Sequence, residues 1–235
     1  SNSIQLDTDT YYERLKGLWK RILPRYLLGP QKVALSLTGG KDSRMILAYA
    51  PCAPQSLPCY TFSGPYRDSM DVKLARKVAA VCHQPYETIP VGGDFIREFP
   101  ALAERTVFLT DGAMDVSGAS ELYLNRLARQ IAPIRLTGNY AQEILRASIA
   151  FKPMPFSREV LDEEFARLLD AAAETYRDEL GGHPLSFVID KQMPWHHYSR
   201  LSLELSQLIP RSPFLDKDLV ALAYQAPSDP SLNNN

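Results

Sequence analysis

Residues Val33 to Leu47 read VALSLTGGKDSRMIL, and this stretch decides the fold. The run from Val33 to Leu37 is apolar and β-prone, which predicts a short buried strand. Gly39 and Gly40 then form a turn, and Ser43 to Tyr49 has the composition of a helix. Backbone N–H groups of such a turn converge with the helix dipole on one spot, so the pattern predicts an anion site.

Two features of the turn favour a phosphate held together with a metal ion. A side chain at Gly39 or Gly40 would keep phosphate oxygens away from the backbone. Asp42 would repel a bare anion, but its place is explained if Mg²⁺ lies between the carboxylate and the phosphate. The Walker A spacing G-x-x-x-x-G-K-[ST] is absent. Taken alone, the stretch is also compatible with an ordinary glycine turn and a capping Asp.

Composition and charge narrow the class of protein. The 235 residues carry 26 Lys and Arg against 27 Asp and Glu, which gives no electrostatic argument for nucleic acid or a membrane surface. No apolar run reaches transmembrane length, and no signal peptide is visible. Cys52, Cys59 and Cys82 lack CxxC spacing, which favours a reduced, cytoplasmic protein.

The two ends of the sequence indicate a piece of a longer protein. There is no initiating Met, and Ser1-Asn2 has the look of an expression remnant. The segment from Pro227 to Asn235 is polar and stops without a terminating element. We therefore expect the natural protein to extend further on at least one side.

Strands and helices alternate after the first strand and predict a parallel sheet with right-handed crossovers. The helix expected from Ser69 to Cys82 would bury one face. That face consists of Met70, Leu74, Val78 and Val81. Further strands are expected at 59–62, 86–91 and 134–136, and further helices at 11–28, 94–110, 117–130, 158–180, 185–208 (broken near Pro194) and 216–224.

These elements predict a parallel sheet of about five strands flanked by helices. Residues 31–156 would form this α/β core, residues 1–30 a helix leading into it, and residues 157–235 a helical C-terminal part. Ligands of such sheets bind beyond the carboxyl ends of the strands, where the Gly39-Gly40 turn and Ser63-Gly64 both fall.

Several segments resemble known ATP pyrophosphatases of the adenine-nucleotide alpha-hydrolase type. Thr38 to Ser43 is similar to their S-G-G-x-D-S pyrophosphate loop, with Thr38 keeping the hydroxyl. Further matches, in chain order, resemble the synthetase domain of the asparagine synthetase family, which includes β-lactam synthetase. They are Ser69, Asp71, Ala75 and Ala79 (S-x-D-x-x-x-A-x-x-x-A), Leu136 to Leu145 (L-S-G-E-G-A-D-E-L-F) and Arg211 to Asp216 (R-x-P-F-L-D).

The resemblance implies adenylation of a small-molecule carboxylate by ATP with Mg²⁺, release of pyrophosphate, and attack on the acyl-adenylate by ammonia or an amine. It also implies a set of site residues. Those around pyrophosphate are Thr38, Gly39, Gly40, Lys41, Asp42 and Ser43; those beside adenosine are Ser36, Ser63 and Gly138; the metal ligands are Asp42 and Gln142; the catalytic pair is Asp42 and Glu143.

Three departures from the family pattern bear on this expectation. Gln142 replaces a metal-binding Asp and offers a carbonyl oxygen without a charge, so metal affinity should fall unless Glu143 or an extra water substitutes. Asn139 replaces the Glu of G-E-G. The family's catalytic Lys downstream of P-F-L-D has no counterpart in these residues, and neither has its glutaminase domain, an expected partner in the full-length protein.

Two other functions stay open at this point. A degenerate domain that binds nucleotide, or serves as a scaffold, is favoured by Gln142 and the missing Lys. A tRNA-modifying ATP pyrophosphatase is favoured by Lys41, which either touches phosphate or faces solvent. Such enzymes, however, need paired cysteines and a basic groove, which the composition does not suggest.

Some other residues also allow two interpretations. Arg211 would bind a phosphate or carboxylate, or form an ion pair, for which Asp216 is a candidate partner. His196-His197 would supply metal ligands only if adjacent helical residues could converge, which their spacing disfavours. Tyr140 would stack on a ligand or close the core.

Overall fold

One parallel sheet forms the centre of the molecule. The computed structural model describes residues 4–64, 66–150, 153–154 and 156–227. Its strands are β1 (Val33–Ser36), β2 (Cys59–Ser63), β3 (Tyr86–Pro90), β4 (Ile134–Leu136) and β5 (Ile209–Arg211). They pair in parallel in the order β3-β2-β1-β4-β5, which confirms the predicted fold class. Ser1, Asn2 and the tail beyond Pro227 lie outside the described residues.

Helices cover both faces of the sheet. They are α1 (Thr8–Leu27), α2 (Lys41–Tyr49), α3 (Met70–Val81), α4 (Asp94–Leu109), α5 (Ala119–Ile131), α6 (Ala141–Arg146), α7 (Glu163–Glu179), α8 (Pro184–Phe187), α9 (Met193–His196), α10 (Tyr198–Leu205) and α11 (Lys217–Ala223). The helix expected over 185–208 with a break near Pro194 is interrupted just before that proline, where a π-helical turn at 188–192 separates α8 from α9. Within the described ranges, no helix is long and apolar enough to cross a membrane.

Alternation along β1 divides the core into two layers, since successive strand residues point to opposite faces. Leu35 packs with buried residues of α1, α2, α3 and α11. Ala34 packs on the opposite face with Tyr60 of β2 and Ala128 of α5. Both layers end at the carboxyl edge of the sheet, where the loop after β1 begins.

The buried face of α3 differs from the predicted one. Its most buried residues are Val72, Ala75 and Ala79. Met70 and Val81 are 75% and 79% exposed, so the expectation that they belong to the core was wrong. The helix lies close to the loop after β1, where a Cβ on Gly39 would come within 4 Å of Asp71 and Leu74.

The segment from Arg211 to Asp216 packs against the C-terminal end of α1. Arg211 Nη1 donates to the carbonyl oxygens of Tyr26 and Leu28 at 3.1 and 3.0 Å. Arg25, not Arg211, pairs with Asp216 at 2.8 Å, which corrects the expected ion pair. Arg211 therefore caps the last carbonyls of a helix.

Phe214 fixes this segment by burial. It is fully buried, and its ring meets Trp19 of α1 edge-to-face at 5.0 Å between centroids. Such aromatic pairs add to the large apolar area that each ring buries.

We expect Phe214→Ala to lower the free energy of unfolding by about 3–5 kcal/mol, because it leaves a cavity under α1. Urea denaturation followed by circular dichroism measures this. Phe108→Ala is the control, since Phe108 is 77% exposed and its loss should change stability by less than about 0.5 kcal/mol. Equal effects of the two changes would contradict this account of the segment.

Candidate nucleotide site at the carboxyl edge of the sheet

Hydrogen bonds between Thr38 and Ser43 close the loop after β1. Ser43 Oγ accepts the N–H of Thr38 at 3.0 Å and lies 3.2 Å from Thr38 Oγ1. Thr38 Oγ1 in turn accepts the N–H of Gly40 at 3.1 Å. The two hydroxyls thus shape the loop from within, and buried Ser43 lies beneath it. The N–H groups of the first turn of α2 have no partners inside the helix, and such a helix end is suited to binding an anion.

Asp71 of α3 fixes the first glycine of the loop. The N–H of Gly39 donates to Asp71 Oδ1 at 2.9 Å. A Cβ on Gly39 would lie 2.7 Å from the same oxygen and 3.3 Å from Asp71 Cα. Glycine is therefore required here for the close approach of loop and helix, which explains why the Ser69-x-Asp71 motif accompanies the loop.

Gly138 brings the turn after β4 against the start of α2. A Cβ at this position would lie 2.9 Å from the backbone nitrogen of Ser43 and 3.0 Å from Asp42 Cβ. Because no side chain intervenes, α6 begins directly beside the loop. The turn also requires Tyr140 in the left-handed region, at φ 72°.

Asp42 and Glu143 approach each other across this contact. Both carboxylates are half-buried, one at the start of α2 and one in the first turn of α6. Burial raises the pKa of Asp42; Arg146 opposes the rise, Glu143 adds to it, and Lys41 opposes it, with a net increase. The charged form of Asp42 is thus disfavoured until a cation approaches.

The pKa of Glu143 is shifted in the opposite direction from that of Asp42, and His197 is the main cause. Burial raises the pKa of Glu143, but His197, the backbone N–H and His196 outweigh it, so the net shift is downward. His197 Nε2 lies 3.3 Å from Glu143 Oε1, a close contact that is poorly aligned as a hydrogen bond. The Tyr140 ring meets His197 edge-to-face at 4.9 Å between centroids, so Tyr140 holds this ring in place.

The remaining predicted residues lie around the same edge. Gln142 and Lys41 are exposed at the starts of α6 and α2. Ser36 ends β1 and is buried, while Ser63 ends β2 and its carbonyl accepts the N–H of Val91 at 3.1 Å. The structure thus gathers the loop, Gly138, Gln142 and Glu143 at one edge; their roles toward ligand stay predictions.

Sequence reasoning missed a buried polar network behind the loop. Arg135 of β4 pairs with Glu204 of α10 at 3.0 Å and donates to Asn125 Oδ1 at 3.1 Å. It also donates to Ser36 Oγ at 3.2 Å. The only sequence signals were a charged residue inside the apolar strand IRL and a Glu flanked by leucines in LEL of α10.

The cysteines form no site of their own. All three are free thiols, and burial raises the pKa of Cys59 to about 12. Among the described residues, no group of three or more His, Cys, Asp or Glu side chains is placed to hold a metal ion. A metal at the loop would therefore need ligands from phosphate and water.

The fold and this loop define an α/β protein of the ATP-pyrophosphatase type, a ligase or modifying domain that uses ATP. The profile of the family described as asparagine synthase matches residues 23–207. The chain belongs to the asparagine synthase family.

Solved structures add the following comparisons. The chain is similar to the NH3-dependent NAD synthetase from Campylobacter jejuni in complex with the nitrate ion, at 12% identity and TM-score 0.41, over 98% of this chain and 97% of that chain. It is also similar to the U34-tRNA thiolase NcsA from Methanococcus maripaludis with its 4Fe-4S cluster, at 16% identity and TM-score 0.35, over 85% and 78%. At these scores neither likeness bears on the function. A search of the curated proteins gives no significant match.

Gly138→Ala should push the turn after β4 away from α2, because the new Cβ would meet backbone atoms that cannot yield cheaply. We expect a loss of about 1–3 kcal/mol in the free energy of unfolding, measured in urea. Gly93→Ala is the control, since a Cβ there meets nothing within 4 Å. Unchanged stability in Gly138→Ala would show that the two turns do not constrain each other.

Asp42→Asn should stabilise the ligand-free protein at pH 7. A carboxyl whose pKa is raised by folding destabilises the fold as the pH rises above its ordinary value of 3.8, and Asn removes that effect. Thermal unfolding at pH 7 and pH 4 measures it, and the gain should shrink at pH 4. Asp190→Asn, at an exposed carboxyl, should change neither value. A less stable Asp42→Asn at pH 7 would contradict the direction given for Asp42.

Proposed function

We propose that this chain is the ATP-dependent amide-forming domain of an asparagine synthetase-like ligase. The observation that supports it most is the Gly39-Gly40 loop, closed by Thr38 and Ser43 at the N-terminus of α2, with half-buried Asp42 beside it. Loop amides, helix dipole and a carboxylate combine there as a nucleotide-pyrophosphate site requires.

The reaction has two steps. A carboxylate oxygen of a small-molecule acid attacks the α-phosphorus of ATP, the bond to the bridging oxygen breaks, and pyrophosphate leaves. The nitrogen of ammonia or an amine then attacks the acyl carbon, AMP leaves, and the nitrogen loses a proton. Charge grows on the departing pyrophosphate, which the first turn of α2 is placed to stabilise.

Each predicted residue has a place in this scheme. Thr38 and Ser43 keep the loop in shape, and Gly39 and Gly40 let phosphate oxygens reach the backbone. Ser36, Ser63 and Gly138 border the adenosine side. Exposed Lys41 is free to turn toward a phosphate.

Mg²⁺ fits this donor set. Burial raises the pKa of Asp42 and nearby Glu143 adds to the rise, so a cation beside Asp42 would favour its charged form. Mg²⁺ commonly uses one or two protein carboxylates and takes its other ligands from phosphate and water. Asp42 would hold it, with Glu143 or the amide oxygen of Gln142 as the second protein ligand. When bound, the ion supplies positive charge to the pyrophosphate oxygens.

A degenerate nucleotide-binding domain is the second candidate, and exposed Gln142 is the observation that favours it. The amide in the first turn of α6 lacks the charge of the family's Asp. The two candidates agree on ATP binding and differ in whether pyrophosphate is released.

Calorimetric titration with ATP, with and without Mg²⁺, tests the shared first step. We expect binding that requires Mg²⁺ in the wild type and in Asp190→Asn, and binding weakened at least about tenfold in Asp42→Asn, since a metal-bound carboxylate is lost. Absence of ATP binding in the wild type contradicts the proposal.

Pyrophosphate release across a panel of carboxylic acids then separates the two candidates. Release that depends on one class of acid supports the ligase. ATP binding without release for any acid supports the degenerate domain instead. Asp42→Asn serves as the background control for contaminating ATPases.

A further inference from the structure

A buried ion pair lies behind the carboxyl ends of β1 and β4. Arg135 and Glu204 are only 8% and 2% exposed, and their charged groups are 3.0 Å apart. The Arg135 guanidinium also lies over the ring of Phe62 in β2, 5.3 Å from its centroid. The pair thus joins the middle of the sheet to α10, in the C-terminal part of the chain.

Both members of the pair reach residues at the adenosine side of the site. Arg135 Nη2 donates to Ser36 Oγ at 3.2 Å, at the last residue of β1. Glu204 Oε1 accepts from Asn139 Nδ2 at 3.4 Å, and Asn139 directly follows Gly138. Ser212 Oγ donates to the carbonyl oxygen of Asn139 at 2.6 Å and holds the same turn from the other side.

Stability alone is a weak reason for this pair. Desolvating two charges offsets most of their attraction, and apolar replacements of buried pairs are often neutral or stabilising. The network is also incompletely satisfied, because Arg135 Nε and Asn125 Nδ2 are buried without hydrogen-bond partners in the described part of the chain. A network of this kind is better explained by the geometry it imposes on its neighbours.

The pyrophosphate half of the site has separate supports. The loop is held by bonds between Thr38, Ser43 and Gly40, and by Asp71 of α3. Arg135 and Glu204 contribute to none of these bonds. The hydrogen bonds that hold the loop are therefore distinct from those of the Arg135 network, and the two meet where Gly138 packs against the start of α2.

We propose that Arg135 and Glu204 are positioning residues that hold Ser36 and the Asn139 turn in place for the adenosine half of ATP, and so make nucleotide affinity depend on α10. This inference rests on the proposed function and deepens it. It predicts that disrupting the pair weakens binding of ATP but leaves binding of inorganic pyrophosphate unchanged.

The decisive variant combines Arg135→Met with Glu204→Met. Both replacements are long and apolar, so no buried charge is left unpaired and the fold should persist. Calorimetry with Mg²⁺ compares ATP with inorganic pyrophosphate. We expect the dissociation constant for ATP to rise about five- to tenfold, as for the loss of one or two hydrogen bonds, and that for pyrophosphate to stay the same.

Arg126→Gln is the matched control. Arg126 makes a two-pronged ion pair with Glu98, at 2.6 and 2.9 Å, between α5 and α4. Breaking it removes a two-pronged, more exposed Arg–Glu pair away from β1 and should leave both affinities unchanged. Glu204→Gln keeps the size and an acceptor oxygen, and it carries the comparison if the double variant does not fold.

The outcomes separate clearly. Selective loss of ATP affinity supports the inference. Unchanged ATP affinity in a folded variant overturns it, and so does an equal loss for ATP and pyrophosphate, which would indicate general damage to the structure. A wild type that binds pyrophosphate but not ATP would overturn the proposed function, and this inference with it, before any variant is compared.

Discussion

The contact between Gly138 and the first turn of α2 is the constraint on which the rest of the site depends. It joins the two strand-to-helix turns at the carboxyl edge of the sheet at backbone distance. Because α6 starts there, Glu143 faces Asp42, and His197 and Tyr140 pack behind Glu143. A larger residue at position 138 would move α6, and Glu143 with it, away from the start of α2.

Asp42 and Glu143 have different electrostatic surroundings. Burial disfavours the charge on Asp42, whereas His197 favours the charge on Glu143. The pKa values of two carboxyl groups on neighbouring helices are therefore shifted in opposite directions. Such perturbed pKa values are typical of functional sites. Stability lost at Asp42 is consistent with selection for binding over folding.

The sequence predicted those elements whose structure depends on residues close together in the chain. The strand ending at Ser36, the glycine turn and the helix after it follow from composition and backbone requirements. The face of α3 did not, because packing against β2 and β3 decides which side is buried, and it buries Ala75 and Ala79 rather than Met70. The short strand at 209–211 carries too few residues for a periodic signal.

The buried Arg135–Glu204 pair could not be predicted from the sequence for a different reason. Arg135 and Glu204 look like isolated charges until the fold brings them together, and no spacing rule relates two residues on a strand and a distant helix. Arg211 was open to two interpretations, and its partners proved to be carbonyls at the end of α1, which no side-chain pattern reveals. Long-range partners of charged residues are therefore the least predictable part of such a site.

The residues of the Arg135 network are far apart in the chain, and this determines when the network can form during synthesis. Ser36 and Arg135 are 99 residues apart in the chain, and Arg135 and Glu204 are 69 apart. Domains emerge from the ribosome N-terminus first, at roughly 5–20 residues per second. The strand that carries the loop is therefore made several seconds before α10, and the Arg135 network is completed only after Glu204 has been translated.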